Sequence, residues 1–239
     1  DANYILGSTS KAVTATIADD TAANLNNTLT NASATDKLKL TVNGATASAT
    51  ALNSLATNKT SLAIKVDAKE ITGTAAQLGT AVTGLYALTT GFTGLGNKNV
   101  KIDNALTAAT AADVTAVNAI LAGTTGVVTA TANGTVAQLL TIANATSGKD
   151  ALTLKVTNVA PVTAAQLSTL DGFTSVKVDA SAVTAISGNA ADVKKLLASK
   201  GVELAKDVNI TLSDFVVKAA DVSAVAKATS GVVTATVET

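Results

Sequence analysis

The sequence predicts an α/β fold of a repeating kind: a leucine-rich-repeat-like solenoid of alternating strand–helix coils, with one parallel sheet and its helices on one face. Three observations predict it. Helix-start words recur eight times, 25–36 residues apart, and short alternating apolar–polar segments stand between them. The second face of those segments carries Lys, Thr and Asn instead of a continuous Val/Ile/Leu run. A parallel sheet covered on both faces reads as unbroken apolar strands, so a wet second face points to a stacked array. An ordinary two-layer α/β domain is the alternative.

The helix starts begin at Thr21, Ser48, Thr74, Thr110, Thr135, Thr163, Asn189 and Lys218. Four read Thr-Ala-Ala, then a polar residue, then Leu or Val, as in Thr163-Ala164-Ala165-Gln166-Leu167. Thr or Asn there caps the first free amides, and Gln or Asp three residues on reaches back as a capping box. Apolar residues follow at helical spacing, such as Val114, Val117, Ile120 and Leu121, or Val193, Leu196 and Leu197. Gly123, Gly172, Gly201 and Gly231 are read as helix C-termini.

Nine strands are expected at Val13–Ile17, Leu38–Val42, Ile64–Val66, Val100–Ile102, Val128–Thr131, Leu152–Val156, Val176–Val178, Val208–Leu212 and Val233–Val237. Each helix is then a crossover between parallel strands. The first four helix starts recur 108–115 residues later as the last four, and the third coil of each set is long, with "LYALTTGFTGLGN" and "ASKGVELAKD" as the extra residues. The chain therefore reads as a tandem duplication. Residues 1–11 form an N-terminal cap or joining segment, 12–126 a first four-coil block and 127–239 a second, in one continuous solenoid. The strand phrase stands at each block boundary: "SKAVTATIADD", "TTGVVTATANG" and "TSGVVTATVET".

Composition excludes more than it assigns. The chain has 239 residues, 47% apolar and 2% aromatic, with no His, Cys, Met or Trp; its 17 basic residues are all Lys and its net charge is zero. Nothing in that balance favours nucleic acid, and no run of eighteen apolar residues is present to insert in a membrane. Without His or Cys there is no orienting trio for a nucleophile, and "TGLGNKN" lacks the Gly-Lys-Ser/Thr ending of a phosphate loop. The chain reads as no enzyme and needs no cofactor. It begins with Asp1, which reads as a processed chain or a piece of a longer one.

A polar column follows the strands: Asn43, Asp67, Asp103, Asn133 and Asp179, with Asp19, Asn158 and Asp214 one step later. Asn and Asp at such places cap turns, which is the reading preferred here. Carboxylates on neighbouring coils, Asp67 with Asp103 and likewise Asp179 and Asp214, are the candidates if calcium binds. The outer strand face shows Thr14/Thr16, Thr129/Thr131 and Thr234/Thr236, a hydroxyl pattern suited to ice, but Lys39, Lys65, Lys101 and Lys177 interrupt it. Sequons stand at Asn26, Asn31, Asn58, Asn133, Asn144 and Asn209. The few aromatics are Tyr4, Tyr86, Phe92, Phe173 and Phe215, the phenylalanines expected to fill core gaps.

Stretches such as "TAAQLSTLDGFTSVKVDASAVTAISGNAADV" and "TTGVVTATANGTVAQL" resemble the Ala/Thr/Val-rich tandem repeats of very large secreted or cell-surface proteins of marine cyanobacteria and other bacteria. The resemblance covers nearly everything after Lys11. It implies an extracellular, structural or adhesive setting without catalytic residues. The Gly-Gly-x-Gly-x-Asp runs of calcium rolls are absent, so calcium-roll activity is not implied.

The remaining expectation is mechanical. The first strand nearly copies the last, and neither end shows an obvious polar cap. Val13 and Ile17 at one end, and Val233 and Val237 at the other, are the expected assembly edge. The expected function is self-assembly, head to tail, into a surface layer (S-layer), sheath or filament, the partner being another copy of the chain. The alternative is an adhesin whose Thr/Lys face holds a glycan or another surface.

Overall fold

The computed structural model describes residues 2–79, 84–86, 91–108, 110–142, 149–158 and 161–238. The fold is α/β, and the registered strand pairs given below are all parallel. The described residues form two compact units, 1–104 with 115–129 and 105–114 with 130–239.

In chain order the elements up to residue 104 are α1 (Ala2–Gly7), β1 (Thr14–Thr16), α2 (Ala22–Thr28), β2 (Lys37–Lys39), β3 (Thr41–Val42), β4 (Thr46–Ser48), α3 (Ala49–Asn58), β5 (Ile64–Val66), β6 (Glu70–Gly73), α4 (Ala75–Gly79), β7 (Phe92–Thr93) and β8 (Asn99–Ile102). There follow β9 (Leu106–Thr107), α5 (Ala111–Gly123), β10 (Val128–Gly134), α6 (Val136–Leu139), β11 (Ala151–Val156), β12 (Val162–Thr163) and α7 (Ala164–Asp171). The last are β13 (Val178–Ala180), β14 (Ala185–Gly188), α8 (Ala190–Ala198), β15 (Val202–Leu204), β16 (Asn209–Leu212), α9 (Ala219–Ala226) and β17 (Val233–Thr234).

Each of the eight expected helix starts is followed directly by a helix. The local chemistry is as expected too. Thr135 and Thr163 form complete capping boxes with Gln138 and Gln166. Thr74 and Gln77 exchange the same two bonds, and Thr21, Ser48 and Asn189 each accept an amide three residues on. Lys218 caps α9 without a side-chain bond. The apolar stripes face inward: Leu52 and Leu55, Leu167 and Leu170, and Val193 and Leu196 are all buried. Burying such a side chain contributes roughly 1.5–3 kcal/mol.

Eight of the nine expected strands coincide with strands of the fold, Leu38–Val42 as β2 and β3, and alternate in exposure as β10, β11 and β16 illustrate; the strand expected over Val176–Val178 is displaced, β13 beginning only at Val178. The expectation of one strand per coil is corrected. A second short strand, β4, β6, β12 or β14, runs into the following helix, with Ala47, Ile71, Val162 or Ile186 as its buried residue. These pieces are rich in Thr, Ser and Gly and carry too few apolar residues to register as a strand. The strands accordingly form several parallel ladders, not one.

The long third coils have a shared explanation. In the first unit β5 pairs with β3 on one side and with the inserted β7 on the other, Ile64 opposite Phe92. Strand β8 then pairs with the second ladder, β4–β6, with Ile71 opposite Val100. The second unit repeats this: β13 pairs with the inserted β15, and β16 joins β12–β14 with Ile186 opposite Ile210. Each insertion supplies a strand to one ladder and moves the next strand across to the other.

Within the N-terminal cap or joining segment, "DANYILG" holds a helix, α1. Two further expectations are corrected. Gly201 and Gly231 end no helix; they stand in the following turn, where a Cβ would collide with the Asp171 carboxylate and with the Asp207 and Val208 carbonyls. Phe173 is buried, but Phe215 is 94% exposed and fills no core gap.

Candidate functional site

The recurring phrase begins with a Thr-Ser or Thr-Thr pair, and the structure gives that pair a task. The buried Thr60 hydroxyl accepts the Leu38 amide (3.1 Å) and donates to the Leu38 carbonyl (2.8 Å), 22 residues back. Ser61 donates its amide to the Asp36 carbonyl (2.7 Å) and its hydroxyl to the same oxygen (3.1 Å). Thr174 likewise accepts the Leu152 amide but donates to the Asp150 carbonyl, to which Ser175 donates its amide and hydroxyl. The other two pairs donate across the coils: Thr124 to the Lys98 carbonyl and Thr125 to the Gly96 carbonyl, Thr229 to the Lys206 and Val208 carbonyls and Ser230 to the Lys206 carbonyl. In each pair the first hydroxyl also accepts an amide two residues on. The pair staples its own turn to the turn one coil earlier, at a separation no local motif predicts.

At the chain's first copy, Thr9-Ser10, only the internal bond remains: Lys11 donates its amide to the Thr9 hydroxyl (3.1 Å). Among the described residues neither Thr9 nor Ser10 donates to an earlier turn. At the last copy the Thr229 and Gly231 carbonyls, in register with the acceptors Lys206 and Val208, accept no bond among the described residues.

The strands show the same contrast. In the middle copy Val128, Ala130 and Ala132 are 1%, 5% and 3% exposed. In the first copy Val13, Ala15 and Ile17 are half-buried, and in the last Val233 and Ala235 are half-buried and Val237 is 41% exposed. Strands β1 and β17 each stand at the edge of their ladder. β1 uses the Val13 carbonyl and the Ile17 amide toward β2, which leaves Thr14 and Thr16 facing outward. β17 uses the Val232 carbonyl toward β16, and the Thr236 carbonyl bonds Val217, which leaves Val233, Ala235 and Val237 facing outward. Exposed large apolar residues cluster in these end segments: Tyr4 and Ile5 at the first, and Phe215, Val216, Val232 and Val237 at the last.

The candidate calcium residues are placed but not gathered. Asp67 bonds the Lys65 ammonium at 2.6 Å, and that hydrogen bond and the carboxylate charge raise the lysine's pKa. Asp103 lies 3.7 Å from Lys101. Because β8 crosses to the second ladder, Asp103 follows Gly73 while Asp67 follows Val42, so the two do not share a ladder. Asp179 accepts the Ser181 hydroxyl and amide, which hold its carboxyl below the usual range. Asp214 accepts the Ala190 amide (2.7 Å) at the start of α8, one coil back. Asn158 does the same for Val136 (2.6 Å), and Asn104 for Ala75 (2.8 Å). Part of the polar column therefore caps the helix of the preceding coil. Among the described residues no three His, Cys, Asp or Glu side chains group as a metal site.

Two other points complete the site. Asp36, 4% exposed, accepts the Val13 amide (2.7 Å), the Ser33 amide (2.8 Å) and the Ser33 hydroxyl (3.0 Å). Burial pushes its carboxyl up, but these bonds outweigh burial and hold it below the usual carboxylate range. The sequon residue Asn26 is committed inside the fold, donating to the Ala22 and Ala51 carbonyls, and Asn144 lies outside the described residues. No helix among the described residues is long and apolar enough to cross a membrane. No protein-family model, no curated protein and no solved structure matches this chain.

Proposed function

We propose that the chain is a strand–helix solenoid and an extracellular structural subunit, assembling through its end coils into a surface layer, sheath or filament. The observation that carries the reading is the contrast between copies of one phrase. Val128, Ala130 and Ala132 are buried in the middle copy, while at the outer ones Val13, Ile17 and Val233 are only half-buried and Val237 is exposed. An unpaired edge flanked by exposed apolar side chains is a template for another chain. The extracellular setting rests on the resemblance to bacterial cell-surface repeats. No catalytic constellation competes with this reading in a chain without His or Cys.

The test is light scattering on purified protein over a concentration series. Wild type is expected to form species larger than the 23.4 kDa chain. Val233→Asp and Val237→Asp put a charge on the aliphatic face of the terminal strand, beside its open edge, and are expected to reduce that assembly. Unchanged polymer in both variants counts against docking at this strand.

The adhesin reading has one observation of its own. Thr163, Ser187, Thr211 and Thr234 stand opposite one another across four strands, a row of hydroxyls at the strand spacing of about 4.8 Å. A glycan or polymer with a matching repeat would be its ligand, and binding lost in Thr211→Val would favour it. An ice lattice fits less well, since Lys39, Lys65 and Lys101 break the corresponding rows in the first unit.

A further inference from the structure

Resting on that reading, we infer that the joint is head to tail and in register, with β1 of one copy extending the ladder of β17 of another as the two near-copies of the phrase pair with each other. Three independent features point to this geometry.

The first is hydrogen-bond parity. In a parallel pair, a residue whose amide and carbonyl face the neighbour lies opposite one whose groups face away. Outward groups fall on Val233 and Ala235 in β17 but on Thr14 and Thr16 in β1. Setting Ala235 opposite Ala15 therefore satisfies both edges, and sets Thr234 opposite Thr14. It also keeps threonines on one face and aliphatic residues on the other. A slip of one residue breaks both matches. Two β17 edges could meet only antiparallel, a pairing that none of the registered pairs shows.

The second is the staple. Among the described residues Thr9 and Ser10 hold donors that bond no earlier turn, and the Thr229 and Gly231 carbonyls, which stand opposite the acceptors Lys206 and Val208, take no donor from a later turn. The four inner staples join those same two kinds of group. Donors on one end and acceptors on the other make the joint heterologous, which generates an open polymer and not a closed dimer.

The third is the alternation of elements. With β1 beside β17 of another copy, α1 takes the place that α9 has between β16 and β17. Lys11 stands where the middle and last copies carry Gly126 and Gly231, each crowded by an earlier turn. Leu62 and Val176 occupy the same position in staples that are fully bonded, so a side chain there is compatible with stacking.

The test uses the absence of cysteine from the chain. Thr14→Cys, Thr234→Cys and the double variant are made in the full chain and treated with a short bismaleimide under conditions where wild type scatters as polymer. The inference expects a ladder of linked oligomers from the double variant, a single linked dimer when the two single variants are mixed, and no linking within either single variant alone. Linking in Thr234→Cys alone means tail-to-tail contact and overturns the head-to-tail joint while leaving assembly intact. A polymer that scatters normally but does not link also overturns the joint alone. Wild type that stays monomeric throughout the series overturns the proposed function as well.

Discussion

Thr60→Val is the sharpest perturbation of the staple, because it removes one hydroxyl and keeps the shape. Thr60 is 3% exposed and its partner Leu38 is fully buried, so water cannot replace the lost bonds. The substitution strands the Leu38 amide and weakens satisfaction of its carbonyl; the Leu62 amide, on a residue 40% exposed, can be hydrated. A buried unsatisfied group costs about 1–3 kcal/mol, so about 2–4 kcal/mol is expected in all. For a chain of this size that lowers Tm by roughly 5–12 °C. Thr60→Ser keeps the hydroxyl and loses one methyl, for about 1 kcal/mol. Urea unfolding followed by circular dichroism measures the difference, and amide exchange at Leu38 localises it. If Thr60→Val is no more destabilising than Thr60→Ser, the hydroxyl does not staple the coils and the argument fails.

Further expectations follow from the same contacts. Gly126→Ala drives a Cβ into the Lys98 carbonyl and is expected to cost about 1–3 kcal/mol, measured by the same urea titration. The Asp36 carboxyl has a folded-state pKa below its unfolded value near 3.9, so its contribution is present above that value and lost as pH falls through the folded pKa. Wild type should therefore lose stability below about pH 4 more steeply than Asp36→Asn, which is already weakened at neutral pH. Since Asp67, Asp179 and Asp214 already hold hydrogen-bond partners within the fold, a calcium chelator should leave Tm unchanged; a fall of several degrees would restore the carboxylate column as a metal site.

The sequence made the local parts of this fold readable. A cap joins residues three apart, so Thr163 and Gln166 declare a helix start without any knowledge of the rest of the chain. Alternation over four to six residues declared β11 and β16 in the same way. What stayed hidden depends on partners about a coil away. Thr60-Ser61 looks like a turn, and only its repetition as Thr124-Thr125, Thr174-Ser175 and Thr229-Ser230 hinted at a shared task. The ladder change of β8 was invisible because its own residues are ordinary; the cause is the competing strand β7 in the insertion. That change is also why Asp67 and Asp103, which look like equivalent positions in the sequence, do not meet. Strands such as β4 escaped notice because Ala47 is their one buried side chain.

The most direct test of the central claim, that the outer copies of the phrase are joints, is negative-stain electron microscopy of the native material at low concentration. The account predicts filaments or sheets with a regular axial repeat. Isolated particles with no contacts between them, at concentrations where the protein is intact and folded, would contradict it.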